Sequence, residues 1–273
     1  MPLKGFDREI EQIKREVKLA KEIFNDRFSS EKINAGERHN FILLRLYTKT
    51  LKTCNAALVL IQEGYEEDAM AVLRVALETI ITLRYISENP EINSLLFERF
   101  EAVTMTKAYD KLKEHESHQI NEILVDNVEK ARQEIDEKDK EICKLVSSYD
   151  REKQRKLDDR GYWSGKSLKK MVKDLGAGVQ KYYDYKYWMY CLFSHPNPFS
   201  QTDLVEVNET KAVFNDLPNH RYSSNLLMYL SEILLNVMMM ANDFFKLGQD
   251  EQIVAAGKEY QKVLDGKAGK ISS

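Results

Sequence analysis

Apolar residues recur at spacings of three and four near the start of the chain. Phe6, Ile10, Ile13, Val17, Ala20 and Phe24 form the single seam of an amphipathic helix. Gly36 breaks the pattern, and a second helix is predicted from about Glu37 to Glu63. Its apolar positions (Phe41, Leu44, Leu51, Cys54, Leu58, Ile61) spread wider than one stripe, and Gly64 stands where a C′ residue ends a helix. A third helix, about Glu66 to Ser87, is apolar nearly all round, which predicts a central position surrounded by other helices. The short link through Gly64 makes the second and third helices an αα-hairpin. Asn89 followed by Pro90 reads as an N-cap and first helical residue of a fourth helix, carrying Ile92, Leu95, Leu96, Phe100, Val103 and Tyr109.

The pattern changes from about Asn121 to Arg160, where more than half of the residues from Asp126 onward are charged. A thin seam remains in Val128, Ala131, Ile135, Ile142, Leu145 and Tyr149, interrupted at Lys138–Asp139. This predicts a solvated helix, a helical hairpin or a two-stranded coiled-coil arm. Gly161 and Gly165 then mark a loop, and Ser164 or Ser167 caps a helix with Leu168, Met171, Val172 and Leu175. An aromatic helix follows from about Val179 to Phe193. Weak alternation before Pro218 fits a small β-hairpin or an ordered loop. The last strong helix is expected from about Asn219 to Leu247. The expected fold is therefore all-α, a multi-helix bundle with a long charged helical hairpin or arm. It is read as one domain over 1–273, with the charged excursion at about 119–160 and a poorly structured tail at about 249–273.

Composition narrows the class. With only 11 Gly and 5 Pro in 273 residues, an all-β sandwich with its many turns is disfavoured. A net charge of −3 gives no global basic footprint, so nucleic acid is disfavoured, although a local basic patch stays open. Cys54, Cys143 and Cys191 are scattered and odd in number, which fits free thiols in a reducing compartment. The N-terminus is too charged for a signal peptide, and Leu226–Ala241 is interrupted by Ser231, Glu232 and Asn236, short of a membrane span. A cytoplasmic protein without a membrane partner is expected.

Candidate chemistry sits in two places. Arg74 and Glu78 are one turn apart on the third helix, in a stripe with Met70, Leu77, Ile81 and Tyr85, so their charges need partners. Either they form an ion pair that fixes helix register or they bind an anion. The second place is Tyr182–Pro198, with seven aromatics, Cys191, Ser194 and His195. His195 ends its helix before Pro196, where it either caps the last carbonyls or serves as an acid/base. Cys191, four residues earlier, has the spacing of a Cys–His pair, but a buried thiol is the ordinary role. The loop Trp163-Ser164-Gly165-Lys166-Ser167 ends in G-K-S, yet position 160 is Arg160 rather than the glycine of a phosphate loop. No metal-ligand spacing and no cofactor motif is present in the sequence.

Three ordered pieces carry a resemblance: G-Y-E-E-D-A-M-A-V-L-R-V-A-L-E from Gly64 through Arg74 to Glu78, W-S-G-K-S from Trp163, and Tyr187, Cys191 and His195 followed by Pro196. Together they resemble a prokaryotic all-helical domain-of-unknown-function family, family 5677, over about Leu43 to Pro198. The resemblance implies no established activity. It implies that Arg74, Glu78, Trp163, Tyr187 and His195 share one neighbourhood, and Cys191 stands where its pattern has Ser. Two function classes follow. One is a binding or regulatory module, a homodimer with a protein partner on the charged arm, whose Arg74–Glu78–His195 cluster is bordered by Trp163, Lys166, Tyr187 and Cys191. The other is a metal-independent RNase-like toxin or phage-defence enzyme using Arg74 and His195.

Overall fold

A computed structural model describes residues 5–28, 38–115, 122–194, 205–208, 211–214 and 220–271. It is all-α apart from one two-stranded hairpin, and the chain divides into two compact units where the sequence reading expects a single domain. The first comprises residues 1–84 and 177–273, the second residues 85–176.

In the first unit, α1 (Asp7–Phe28) follows its predicted seam, with Ile10, Ile13, Val17 and Ala20 buried; α2 (Arg38–Glu63) buries Leu44, Leu51, Cys54, Leu58 and Ile61, but Phe41, expected among them, is 52% exposed. Gly64 closes α2 as predicted. At φ 81° it lets the Tyr65 amide reach the Leu60 carbonyl at 2.9 Å and its own amide reach Ile61 at 3.2 Å, the two bonds of a Schellman motif. Then α3 (Glu66–Glu88) begins and contributes its residues through Arg84 to this unit. It is not enclosed on all sides, since Val75 is 41% exposed and Arg84 lies at the surface. Nor is α9 (Ser223–Phe245), which packs one side against α1, α2 and α10 (Asp250–Ile271) and leaves Asn236 and Met239 exposed on the other. By length and apolar composition Ser223–Phe245 does reach the dimensions of a membrane-crossing segment, contrary to the sequence reading. Here its apolar residues are the core of a bundle, with Leu226, Leu227, Leu230, Ile233, Leu234 and Val237 at most 1% exposed.

Both ends of α9 are tied down from elsewhere. Its N-cap, Tyr222, has no side-chain cap. Instead Glu66 of α3, fully buried, accepts from the Tyr222 amide at 2.6 Å and from the Ser223 hydroxyl. At the other end, Asn242 accepts from the Gln249 amide at 2.7 Å and donates to Asp250 at 3.0 Å, so one carboxamide joins α9 to the start of α10. The expected poorly structured tail is thereby corrected: residues 250–271 are a 22-residue helix, with Ile253 and Tyr260 buried. Between α8 (Ala177–Ser194) and α9, β1 (Val205–Asn208) pairs antiparallel with β2 (Lys211–Phe214), Val205 opposite Phe214.

One face of α1 is polar and still buried. Glu9, Gln12 and Glu16 are each at most 5% exposed, and Gln12 reaches Glu16 at 3.4 Å and the Ala256 carbonyl of α10 at 3.3 Å. Burial raises Glu16 from the ordinary 4.5 to about 7 against hydrogen bonds from Ser231 and Gln12.

The second unit runs from Tyr85 through α4 (Pro90–His115), α5 (Glu122–Leu145), α6 (Arg151–Asp158) and α7 (Leu168–Asp174). The charged segment forms a helical hairpin with α4. Arg132 meets Asp110 at 3.2 Å and Asp139 meets Arg99, which fixes an antiparallel pairing. The interruption at Lys138–Asp139 belongs to the seam. Both residues are buried alongside Val128, Ala131 and Ile142 because partners await them, Glu98 and Arg99 on α4 and Tyr149 in the loop before α6. Arg99 of α4, fully buried, donates through Nε to Asp139 at 2.5 Å and through Nη1 to Asp158 at 2.7 Å. Tyr149 donates to Asp139 at 2.6 Å, and Lys138 pairs with Glu98. Two carboxylates around one guanidinium make the layer tolerable in a dry interior.

Candidate functional site

The first cluster lies in the first unit, between α3 and α8. The i,i+4 spacing places the Glu78 carboxylate beside Arg74, and Nε donates to Oε1 at 3.0 Å. From α8, Tyr187 brings its hydroxyl to 2.9 Å from Arg74 Nη2, while its ring centroid lies 5.0 Å from Cζ. Tyr183, one turn earlier, stacks on Tyr187 with centroids 4.5 Å apart and planes 21° from parallel. Cys191 is half-buried one turn further on. The guanidinium is thus held from two helices and its plane is fixed. About a quarter of the Arg74 side chain stays exposed, so the stripe it shares with Leu77 and Ile81 is less dry than the sequence suggests.

Electrostatics favour recognition over proton transfer. Burial, helped by the Glu78 charge, raises Tyr187 above an ordinary phenol, and Arg74 only partly opposes this. For Arg74, burial is the largest single influence and lowers the pKa, but the hydrogen bond to Glu78 and the electrostatic influence of Tyr187, Cys191 and Glu78 together outweigh it, and the pKa rises. At neutral pH the pair presents a permanent cation and a protonated phenol, both hydrogen-bond donors and neither a base. His195, the sequence candidate for acid/base work, lies outside the described residues.

Trp163 and Lys166 belong to the second unit, and their partners there are specific. Trp163 is 8% exposed and stands edge-on to Tyr85 and Phe97, with centroids 6.0 and 5.3 Å away. Lys166 reaches the Tyr85 hydroxyl and Asp174, each at 2.7 Å, and Lys170 holds the other Asp174 oxygen at 2.7 Å. Hydrogen bonds from Lys166 and Lys170 lower Asp174 to about 2. Gly165 is in the left-handed region at φ +73°, and a Cβ there would come within 3.2 Å of Gln154 Oε1. Gln154 donates to the Tyr162 and Trp163 carbonyls at 3.3 and 3.4 Å and to Asp158 at 3.1 Å, so the Trp-Ser-Gly loop is fastened to the buried Arg99 layer. Ser167, not Ser164, caps α7, accepting from the Lys170 amide at 3.3 Å. Among the described residues that the resemblance groups, Arg74, Glu78 and Tyr187 gather in the first unit, and Trp163 is built into the loop chemistry of the second.

Sequence reasoning passed over Arg99, Asp139 and Asp158, and also Lys186. Lys186 is almost fully buried on α8, 3.1 Å from Glu232 and 3.0 Å from the centroid of the Tyr229 ring, and burial lowers its pKa. One signal was visible: Lys186 is the single Lys or Arg within the aromatic stretch, where an ammonium needs a carboxylate and ring faces. Among the described residues no three His, Cys, Asp or Glu side chains are grouped to hold a metal ion. A model of a family of unknown function (DUF5677) matches residues 40–212, a span that holds Arg74, Glu78, Trp163, Lys166, Tyr187 and Cys191. No curated protein and no solved structure matches the chain.

Proposed function

The chain belongs to the DUF5677 family, and we propose that it acts as a helical binding module in which Arg74 receives an oxyanion of its ligand. One observation carries this reading. The Arg74 guanidinium is fixed by Glu78 at 3.0 Å and Tyr187 at 2.9 Å, yet part of the side chain remains open to solvent. A planar fork already immobilised loses little freedom on binding, and it matches a carboxylate or phosphate edge. Tyr187, kept protonated by burial, supports recognition and gives no base for a reaction. The metal-independent nuclease alternative draws on His195, and no described atom favours it. In the same reading, the exposed charges of α5, among them Glu129, Lys130, Arg132 and Glu137, form the surface offered to a protein partner.

Inorganic phosphate and acetate, the smallest probes of this chemistry, test the reading by nuclear magnetic resonance. Either anion is expected to move the Arg74 Nε–H resonance beyond the shift that equal chloride produces. Arg74→Lys, which keeps the charge and loses the fork, should weaken that response about tenfold, the order of one charge-assisted hydrogen bond. A response to phosphate and acetate no larger than to chloride would rule the reading out.

A further inference from the structure

A second site lies along the same pair of helices, toward the N-terminal end of α8. There the first unit has a cavity of about 380 Å³. Its walls are Leu77, Ile80 and Ile81 of α3, Val179 of α8, and Ile233 and Met240 of α9. At about 30 Å³ per molecule of liquid water, the space equals roughly a dozen waters. Water gains little from walls of this kind, whereas an apolar body of similar size gains contact on several sides. The volume falls within the range of ordinary small-molecule sites, and three helices contribute to its lining.

The lining has one charge. Arg84, exposed on α3, lines the cavity, and among the described residues no ion pair involves it. Asn236 of α9 adds a carboxamide. One of its N–H groups donates to the Glu232 carbonyl at 2.7 Å, which leaves the second for a ligand oxygen. No acidic side chain is among the lining residues. An apolar chamber bordered by a guanidinium and an amide donor selects a molecule with an apolar body and one anionic head. A neutral ligand would leave the cation unused, and a cationic one would meet it as a like charge.

We propose that this cavity binds a small amphipathic carboxylate of about a dozen heavy atoms, with its tail between α3, α8 and α9 and its head on Arg84 and Asn236. The site is separate from the Arg74 cluster and does not rest on it. Octanoate is the probe, with octan-1-ol and octylammonium as neutral and cationic counterparts, titrated calorimetrically into the full chain. Octanoate is expected to bind more tightly than octan-1-ol, and octylammonium most weakly. Arg84→Glu, at an exposed position, should weaken octanoate about tenfold or more. Val179→Trp should abolish its binding by filling the chamber. Gly178→Leu gives a second plug should Val179→Trp fail to fold, because Gly178 also lines the cavity and a Cβ there meets no atom within 4 Å. Arg74→Ala should leave octanoate binding unchanged, which separates the two sites. Octanoate binding that survives both a folded plug and Arg84→Glu, or octan-1-ol binding as tightly as octanoate, would overturn the proposal.

Discussion

Arg99→Ala is expected to destabilise the second unit by about 3–5 kcal/mol, the cost of removing one partner from a buried ionic group. The substitution strands Asp139 and Asp158, both at most 4% exposed, without the cation that each contacts. Arg99→Lys should not rescue it, because an ammonium lacks the fork that serves two carboxylates from different helices. A combined Arg99→Met, Asp139→Leu, Asp158→Leu chain, with no charge left to bury, should be far closer to wild type than Arg99→Ala alone. Hydrogen exchange at the α4 and α5 amides, with urea titration, reads each variant. A loss below about 1 kcal/mol for Arg99→Ala would place the layer with surface ion pairs, which are worth little.

The second large effect is a pH dependence in the first unit. Glu16 is fully buried, hydrogen-bonded to Gln12 on its own helix and Ser231 on α9 and close to Tyr260 on α10, which Glu9 and Glu232 also approach. Its folded-state pKa of about 7 exceeds the ordinary 4.5, so the native state holds a proton that the unfolded chain has released between these values. Stability from this residue is complete below about pH 4.5, declines up to about pH 7 and stays flat above. At about 1.4 kcal/mol per pH unit the decline amounts to about 3 kcal/mol. Glu16→Gln, which keeps the hydrogen-bonding shape without the charge, should match wild type at pH 4 and exceed it at pH 8. Denaturation midpoints at the two pH values decide it. A wild type whose Glu16-dependent stability is equal at pH 4 and pH 8 would show that Glu16 ionises normally.

These two features were the least legible in the sequence, for one physical reason. Apolar periodicity is local, and it predicts α1 through α4 and the Gly64 stop because each rests on residues within a few turns. A buried charge depends on a partner far along the chain. Lys138–Asp139 reads as a break in the α5 seam until Arg99, 40 residues earlier, is placed opposite it. Glu16 sits on α1 among ordinary surface-type residues, and α10, which helps cover it, carries too weak an apolar stripe to be read as a long helix. The Arg74–Glu78 pair was legible because its spacing is helical, and Tyr187 joined it only once α8 lay beside α3. Trp163 and Lys166 lie in a loop, where spacing carries no directional information, so their attachment to Tyr85, Phe97 and Asp174 could not be read.

The chain's two indoles are divided between its two units. Trp163 is 8% exposed in the second unit, edge-on to Tyr85 and Phe97, while Trp188 on α8 of the first is 62% exposed. Native emission is therefore a sum of a blue-shifted, shielded component and a red-shifted, quencher-accessible one, each belonging to a different body. A variant keeping one tryptophan turns a single optical trace into a report on that body alone.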